Sequence, residues 1–305
     1  MKKLLITGGS GTIGRKFIET YYDEYEIYNY SRDESLQAEL LRTFPKVKNI
    51  VGSVEDKSML FTIFDKIKPD IVVHSAAMKH LDMAEKNPIQ ACKVNIVGSL
   101  NIIDASIRSD VKITIAISTD KSCDPENTYG YSKSLMERCF LDANTDRNRF
   151  ACTRFANVTH SSGSVIPFWL KLKKEGKSLK LTDKDMNRLM FSQLDSVKLV
   201  KKAIDECERK GGFVLSTIMK KTNMYELAKF ISDDIEMVGK RAGEKLDEKL
   251  ISEKELPFTY VDGNYVFIRK DINEDTDNRL DKELSSRTGE NMNEQDLEEL
   301  VYGNN

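Results

Sequence analysis

A short apolar run, Leu4-Leu5-Ile6, ends in Thr7-Gly8-Gly9-Ser10-Gly11-Thr12-Ile13-Gly14, and an amphipathic stretch follows to Tyr22. Nothing else in the chain narrows its possible folds as much. The pattern reads as strand, glycine turn and helix. Glycines at 8, 11 and 14 let the backbone turn sharply and approach a diphosphate closely. The helix then presents free N–H groups and the positive end of its dipole to the phosphates. A glycine pattern carries weight only between a strand and a helix, and both are present here. Thr7, Gly8, Gly11, Thr12, Ile13 and Gly14 are therefore expected to hold a dinucleotide.

The same alternation continues downstream. Strand-like runs at Lys3–Thr7, Glu26–Tyr30, Lys48–Val51, Asp70–Ser75, Lys112–Ser118 and Phe150–Phe155 alternate with helical patterns. Those patterns cover Thr12–Tyr22, Glu34–Thr43, Val54–Ile67, Pro88–Ser109 and Thr128–Ala143. Such alternation predicts an α/β fold, a Rossmann-like doubly wound parallel sheet with ligands at the carboxyl ends of its strands. After Asn157 the alternation fades. Helices are expected at Gly163–Glu175, Leu194–Lys210 and Met224–Val238, with strands near Lys177–Leu181 and Gly212–Leu215. This divides the chain into a nucleotide-binding Rossmann domain, 1–157, and a smaller C-terminal α+β substrate region, 158–305, some elements of which can return to the large sheet. From Asn273 the sequence is polar, acidic and poor in aromatics, and is expected to be partly mobile as far as Gln295–Val301.

A formal net charge of −2 provides no basic field for a nucleic acid or an anionic membrane. The apolar run at the start stops too soon for a signal peptide, and no segment reaches the length of a membrane helix, so a cytoplasmic location is expected. Five cysteines without CxxC spacing and three scattered histidines predict neither a disulfide framework nor a metal site.

Two further segments carry chemistry. At the end of the second strand, Ser31 and Arg32 stand where many NAD binders have an acid. Arg32 can pair with a 2′-phosphate through its planar fork, which favours NADP over NAD. The fifth strand ends in Ser118-Thr119-Asp120-Lys121, followed by Tyr129-Gly130-Tyr131-Ser132-Lys133. Residues four apart share a helix face, so Lys133 is expected to hold the nicotinamide ribose and to lower the pKa of Tyr129 from its ordinary ~10.

On these residues the chain resembles the capsular-polysaccharide-type branch of the extended short-chain dehydrogenase/reductases, and within it the inverting UDP-N-acetylglucosamine 4,6-dehydratases. The resemblance also covers His74-Ser75-Ala76-Ala77-Met78-Lys79-His80, Glu85–Pro88, Asn95–Gly98, Gly163–Pro167, Thr182–Leu189, Arg241–Leu246 and the tail from Ser285 to Leu300. It implies that Tyr129 takes the proton of the sugar 4-hydroxyl while hydride leaves carbon 4 for NADP⁺. Lys121 then matches the base at carbon 5, and Asp120 the acid that protonates the departing 6-hydroxyl. Thr119 completes the catalytic set. Ala76, Lys79 and Val158 match cofactor contacts. Lys79, Asn157, Ser164, Val165, Arg188 and Arg241 match contacts to a UDP-sugar. The sequence departs from the family pattern at Phe155-Ala156, where Tyr-Gly is usual, at Ser162, where the family has arginine, and at Ala242 and Asp247.

Two other readings stay open from sequence: a UDP-sugar 4-epimerase of the same branch, and a non-catalytic NADP-binding scaffold. Apolar positions Val94, Val97, Leu100 and Ile103, with Leu135, Met136 and Phe140, predict a homo-oligomer, a dimer or a hexamer.

Overall fold

The computed structural model describes residues 1–240, 243–271 and 278–303. Six parallel strands form its centre: β1 (Lys3–Thr7), β2 (Glu26–Ser31), β3 (Lys48–Val51), β4 (Ile71–His74), β5 (Ile113–Thr119) and β6 (Arg149–Phe155). Their order across the sheet is 3-2-1-4-5-6, so the direction of winding reverses between β1 and β4. The helices between them are α1 (Thr12–Tyr21), α2 (Glu34–Thr43), α3 (Lys57–Ile67), α4 (Leu81–Lys86), α5 (Pro88–Cys92), α6 (Gly98–Arg108) and α7 (Thr128–Ala143). The reversal opens a crevice at the strand ends, which is where such sheets bind ligands.

Alternating residues of the strands feed two separate cores, as the two-residue period of a strand requires. Leu4, Ile6, Val73 and Ile115 pack with Phe17 and Ile18 of α1 and with Val197, Val200 and Ile204 of the helix Gln193–Cys207. Leu5, Val72 and Ala116 face the other way, onto Leu60 and Phe64 of α3, Ile102 of α6 and Phe140 of α7. Each fully buried aliphatic side chain contributes roughly 1.5–3 kcal/mol, so the sheet is held from both faces.

Three strands from beyond residue 158 belong to this sheet. Phe213–Thr217 pairs parallel to β6, and the hairpin Thr259–Asp262/Tyr265–Arg269 adds antiparallel at the edge. Gly263, at φ 58°, makes the hairpin turn. A third core gathers the rest: Ile166 and Trp169 of the helix Val165–Lys174, Leu227 and Ile231 of the helix Met224–Ile231, and Leu300 of the helix Glu294–Tyr302.

Several boundaries differ from the sequence expectation. Helix α3 starts at Lys57 because Asp56 accepts a hydrogen bond from Met59 N–H and caps it. The long helix expected over Pro88–Ser109 is interrupted by a π turn at Lys93–Val97. The helix expected to reach Val238 stops at Ile231, and Ile235–Met237 instead pairs with Leu179–Leu181. The expected mobile tail begins in residues outside the described range. Its described part is structured: Leu284–Ser285 pairs with Lys249–Ile251, and the last helix carries its own capping box from Asn293 and Asp296.

Candidate active site

The crevice is lined first by the glycine turn. Gly8 has φ 70°, and a Cβ there would lie 2.9 Å from the backbone of Ala76 at the end of β4. A Cβ on Gly14 would come within 2.5 Å of Gly9, so this turn of α1 sits against the loop itself. Gly11 is the N-cap of α1 and no side chain closes it, nor does the first turn hold an acid. The N–H groups of a ten-residue helix therefore open into the crevice. Ile13 packs against the first core.

Behind the turn lies a hydrogen-bonded chain without net charge. Ser99 Oγ donates to Asn95 O (2.6 Å), so it receives the proton of His74 Nε2 (3.0 Å). Nδ1 of His74 then accepts from Thr7 Oγ1 (2.8 Å), which in turn accepts from Ala76 N–H (3.3 Å). Every polar atom of the chain is matched with one tautomer. Burial and then the Lys133 charge push His74 down to about 3, so the ring is neutral. Sequence reading missed this histidine as a structural element.

At the end of β2, Ser31 bonds Ser10 Oγ (2.9 Å) and receives Gln37 Nε2 at its own Oγ (3.0 Å). Arg32 is exposed beside it, while Asp33 caps α2 through Leu36 N–H. Lys79, after β4, donates to Ser162 O (3.0 Å), and Ser162 N–H donates to Thr12 Oγ1 (3.1 Å). The Ser161–Gly163 loop thereby ties the start of α1 to the loop after β4. Partial burial lowers the pKa of Lys79.

The second half of the crevice is ionic. β5 runs into a single 3₁₀ turn, Asp120–Ser122. Asp120 is fully buried. Its Oδ1 accepts from Thr119 Oγ1 (2.9 Å) and Lys121 Nζ (3.1 Å), and its Oδ2 has no partner among the described residues. Glu248, also buried, lies 3.8 Å from Lys121 Nζ. Burial lowers the pKa of Lys121, but the Asp120 and Glu248 carboxylates outweigh it and hold the ammonium above its ordinary value. Two carboxylates thus keep Lys121 charged in the free protein, the second of them, Glu248, supplied from far along the chain.

Tyr129 sits on the first turn of α7. Burial pushes its hydroxyl up to about 12, against the Lys121 charge and a hydrogen bond with Thr119, and Asp120 adds to the rise. The expected influence of Lys133 is absent. That ammonium is buried against Met136 Sδ (3.0 Å) and pushed down to about 8. Lys121 is the cation that acts on Tyr129.

On the substrate side, Asn157 and Val158 pair with Met190 and Phe191, which joins the end of β6 to the strand Asn187–Phe191. Asn157 Nδ2 donates to Leu189 O (3.2 Å). Arg188, on that strand, is buried and gives its terminal nitrogens to three carbonyls: Asn187 (2.7 Å), Leu246 (2.9 Å) and Lys245 (2.8 Å). It holds the 245–246 loop rather than facing open space. Ser164 is the N-cap of the helix Val165–Lys174, yet its Oγ has no partner among the described residues. Arg241 lies outside the described residues.

Two groups beyond the sequence reading support the site. Asn95, in the π turn, accepts from Met78 N–H and donates to Met78 O and Ser132 Oγ, which links the β4 loop to α7. Buried Arg154 on β6 binds Glu137 of α7 (2.7 Å) and Glu255 (2.8 Å). Glu137 also accepts from Ser122 Oγ (2.8 Å), which fixes the turn carrying Asp120 and Lys121 to the helix carrying Tyr129. Among the described residues no helix is long and apolar enough to cross a membrane, and no cluster of His, Cys, Asp or Glu is placed to hold a metal.

Known proteins share this organisation. The chain is 38% identical over 283 residues to the UDP-N-acetylglucosamine 4,6-dehydratase (inverting) of Campylobacter jejuni, covering 89% of this chain and 84% of that protein. It is 33% identical to the UDP-glucose 4-epimerase of Rickettsia massiliae, over 84% of this chain and 79% of that one. The X-ray structure of Pen from Bacillus thuringiensis superposes with a TM-score of 0.91 at 27% identity, over 98% of this chain and 96% of that one. The model of the polysaccharide biosynthesis protein family matches residues 4–270, nearly the whole of the sheet and its crevice, and the chain belongs to that family.

Proposed function

We propose that the protein is a UDP-N-acetylglucosamine 4,6-dehydratase that inverts carbon 5 and releases a UDP-6-deoxy-4-keto-hexosamine for surface polysaccharide or glycan synthesis. The observation that carries this reading is the Asp120–Lys121 pair: a buried acid with an unmatched oxygen beside a partly buried amine, within electrostatic reach of Tyr129. An orphaned carboxylate oxygen in a crevice is costly unless a ligand completes it. A 4-epimerase needs one acid–base group at carbon 4, and Tyr129 suffices. A second acid and base suit the removal of water from carbons 5 and 6.

The crevice fits a dinucleotide. The glycine turn leaves no room for a Cβ at Gly8 or Gly14, and the uncapped start of α1 suits a diphosphate. Thr7, Gly8, Gly11, Thr12, Ile13, Gly14, Ser31, Arg32, Ala76, Lys79, Tyr129, Lys133 and Val158 would hold it. Exposed Arg32, with Asp33 engaged as the cap of α2, favours NADP over NAD. When bound, the nicotinamide supplies a hydride acceptor and donor, which lets a redox-neutral elimination pass through a ketone.

The chain's own residues do the rest. Tyr129 takes the proton of the 4-hydroxyl. Lys121 takes the proton of carbon 5, made acidic by the neighbouring ketone. Asp120 protonates the departing 6-hydroxyl. Lys79, Asn157, Ser164 and Val165 face the sugar nucleotide, with Arg188 shaping the loop beneath it.

Given UDP-N-acetylglucosamine, the enzyme releases a product lighter by one water without net consumption of NADP⁺, read by mass spectrometry. A product of unchanged mass with an inverted 4-hydroxyl replaces this reading with the epimerase, which the Rickettsia relative keeps in view.

We also read the protein as a cytoplasmic homo-oligomer built across α6 and α7. Val94, Ile103, Met136 and Phe140 are buried within the chain, but Val97, Leu100, Ile107, Tyr131 and Leu135 stay exposed on those neighbouring helices. A monomer mass by light scattering at micromolar concentration overturns this.

A further inference from the structure

Lys121 has a second carboxylate neighbour that the acid–base scheme above does not use. Glu248 is 2% exposed, a rare state for a glutamate. Its backbone is pinned from both sides: its N–H donates to Ser286 Oγ (2.9 Å), and Ser286 N–H donates to its carbonyl (2.8 Å). The next residues, Lys249–Ile251, form a strand that packs against the Asp120–Ser122 turn. Leu250 O in that strand accepts from Arg154 Nη1 (2.8 Å). The carboxylate is thus delivered to Lys121 by a rigid support.

We propose that Glu248 is a positioning residue for Lys121, the second carboxylate that orients its nitrogen and stabilises the proton it gains from the substrate. The inference rests on the dehydratase reading above. The free protein holds an ammonium between Asp120 and Glu248. Transfer of one proton from Lys121 Nζ to Asp120 Oδ1, 3.1 Å away, leaves a neutral amine and a carboxylic acid. The amine lone pair then takes the carbon 5 proton, and the C5–H electron pair becomes the second bond between carbons 5 and 6. The C6–O bond breaks, and its oxygen leaves with the Asp120 proton as water. Lys121 ends as the ammonium and Asp120 as the carboxylate. The charge that returns to Lys121 forms 3.8 Å from Glu248, as a catalytic base is held by a third group in hydrolytic triads.

The groups that face this pair set its response to pH. Lys121 is faced by Asp120, Glu248, Arg188 and Tyr129, and Glu248 by Lys121, Asp120, Arg188 and Lys245. Burial raises the Glu248 pKa, with Lys121, Arg188 and Lys245 opposing and Asp120 adding. Glu248 is therefore charged at high pH and loses its hold on Lys121 as pH falls.

The test compares Glu248→Gln with wild type using UDP-N-acetylglucosamine and NADP⁺. The kcat for water loss is followed against pH by mass spectrometry. Transient absorbance of reduced nicotinamide reports hydride removal from carbon 4. Expected for Glu248→Gln is a drop in water loss of about 10-fold or more, with the limb assigned to Lys121 displaced to lower pH by about one unit. The two profiles converge at acid pH, hydride removal keeps its wild-type rate, and Glu248→Asp returns the limb toward its original position. A limb that does not move in Glu248→Gln overturns the inference, as does a loss of hydride removal and water loss together with no displacement. Failure of the Gln variant to fold leaves Glu248→Asp as the test: a folded Asp variant whose limb departs from wild type as far as one unit overturns the inference. Wild type that releases no water overturns the dehydratase reading itself.

Discussion

The two halves of the crevice solve the burial of polar groups in opposite ways. At the ends of β1 and β4, Thr7, His74, Ser99 and Asn95 form a neutral chain in which every proton has an acceptor. At the ends of β5 and β6, Asp120, Lys121 and Glu248, with Glu137, Arg154 and Glu255 behind them, gather six formal charges around one turn and one helix, Lys121 and Glu255 being partly exposed and the other four buried. The neutral half suits a diphosphate, whose charge is met by backbone N–H groups and a helix end. The ionic half suits proton transfer, where charges must appear and vanish. It also leaves a carboxylate oxygen unmatched among the described residues, Asp120 Oδ2.

The contrast breaks most sharply at Lys121. Lys121→Met keeps the length of the side chain and removes its charge and its lone pair. Water loss from UDP-N-acetylglucosamine is expected to fall by about 10²–10⁴-fold, measured as product mass against time. Hydride removal from carbon 4 persists as a slow partial reaction. Equal loss of both steps places Lys121 in substrate binding instead.

Arg154 tests whether the ionic half is a single unit. Removing one partner leaves two buried carboxylates without their cation, so Arg154→Met is expected to lower stability by about 3–5 kcal/mol in urea unfolding. The surviving folded enzyme loses kcat with little change in the KM for the sugar nucleotide, since the turn bearing Asp120 loosens.

The neutral half responds to pH instead. The folded value of His74, about 3, lies below the ordinary 6.5 of the unfolded chain. Between those values the unfolded state binds more protons, so stability is complete above pH 6.5 and declines as pH falls toward 3. The single-site expectation is a loss of about 2 kcal/mol between pH 7 and pH 5, and His74→Gln removes that slope from urea titrations. An unchanged slope assigns the acid sensitivity to the ionic half.

The smallest effect concerns cofactor choice. Arg32→Ala is expected to weaken NADP⁺ by about 10-fold while leaving NAD⁺ unchanged, read by calorimetric titration. Equal affinities in wild type remove Arg32 from the site.

The glycine turn of the neutral half was legible in the sequence because its determinants are local, whereas the Thr7–His74–Ser99 chain behind it joins residues far apart in sequence and was not. Glycines and the flanking strand and helix lie within one βα unit, and sterics alone fix the turn. The Asp120-Lys121 and Tyr129 motifs were readable for the same reason. Their electrostatics were not. Glu248 stands in Gly243-Glu244-Lys245-Leu246-Asp247-Glu248-Lys249, where alternating charge has the pattern of a solvated loop. Only the tertiary fold, through Ser286 and the strand Lys249–Ile251, turns that carboxylate onto Lys121. Lys133 shows the converse: the four-residue spacing puts it on the face of Tyr129, while in the free protein its ammonium is buried against Met136 and Lys121 is the cation that acts on Tyr129. The edge hairpin had a local signal that was passed over, Asp262-Gly263 between Thr259-Tyr260-Val261 and Tyr265-Val266-Phe267.

The π turn at Lys93–Val97 has a consequence for length rather than composition. A π turn accommodates one residue more than an α-helical turn. Deleting a single residue between Lys93 and Val97 therefore narrows the wide turn to an α turn and leaves α6 in its present phase, with Ser99 still directed at His74 and Leu100 and Ile107 still directed outward. Deleting a residue within α6 itself, where no wide turn absorbs the change, rotates everything after it by about 100° relative to everything before. Chain length is thus adjustable at this short stretch and fixed in the regular helix that follows it.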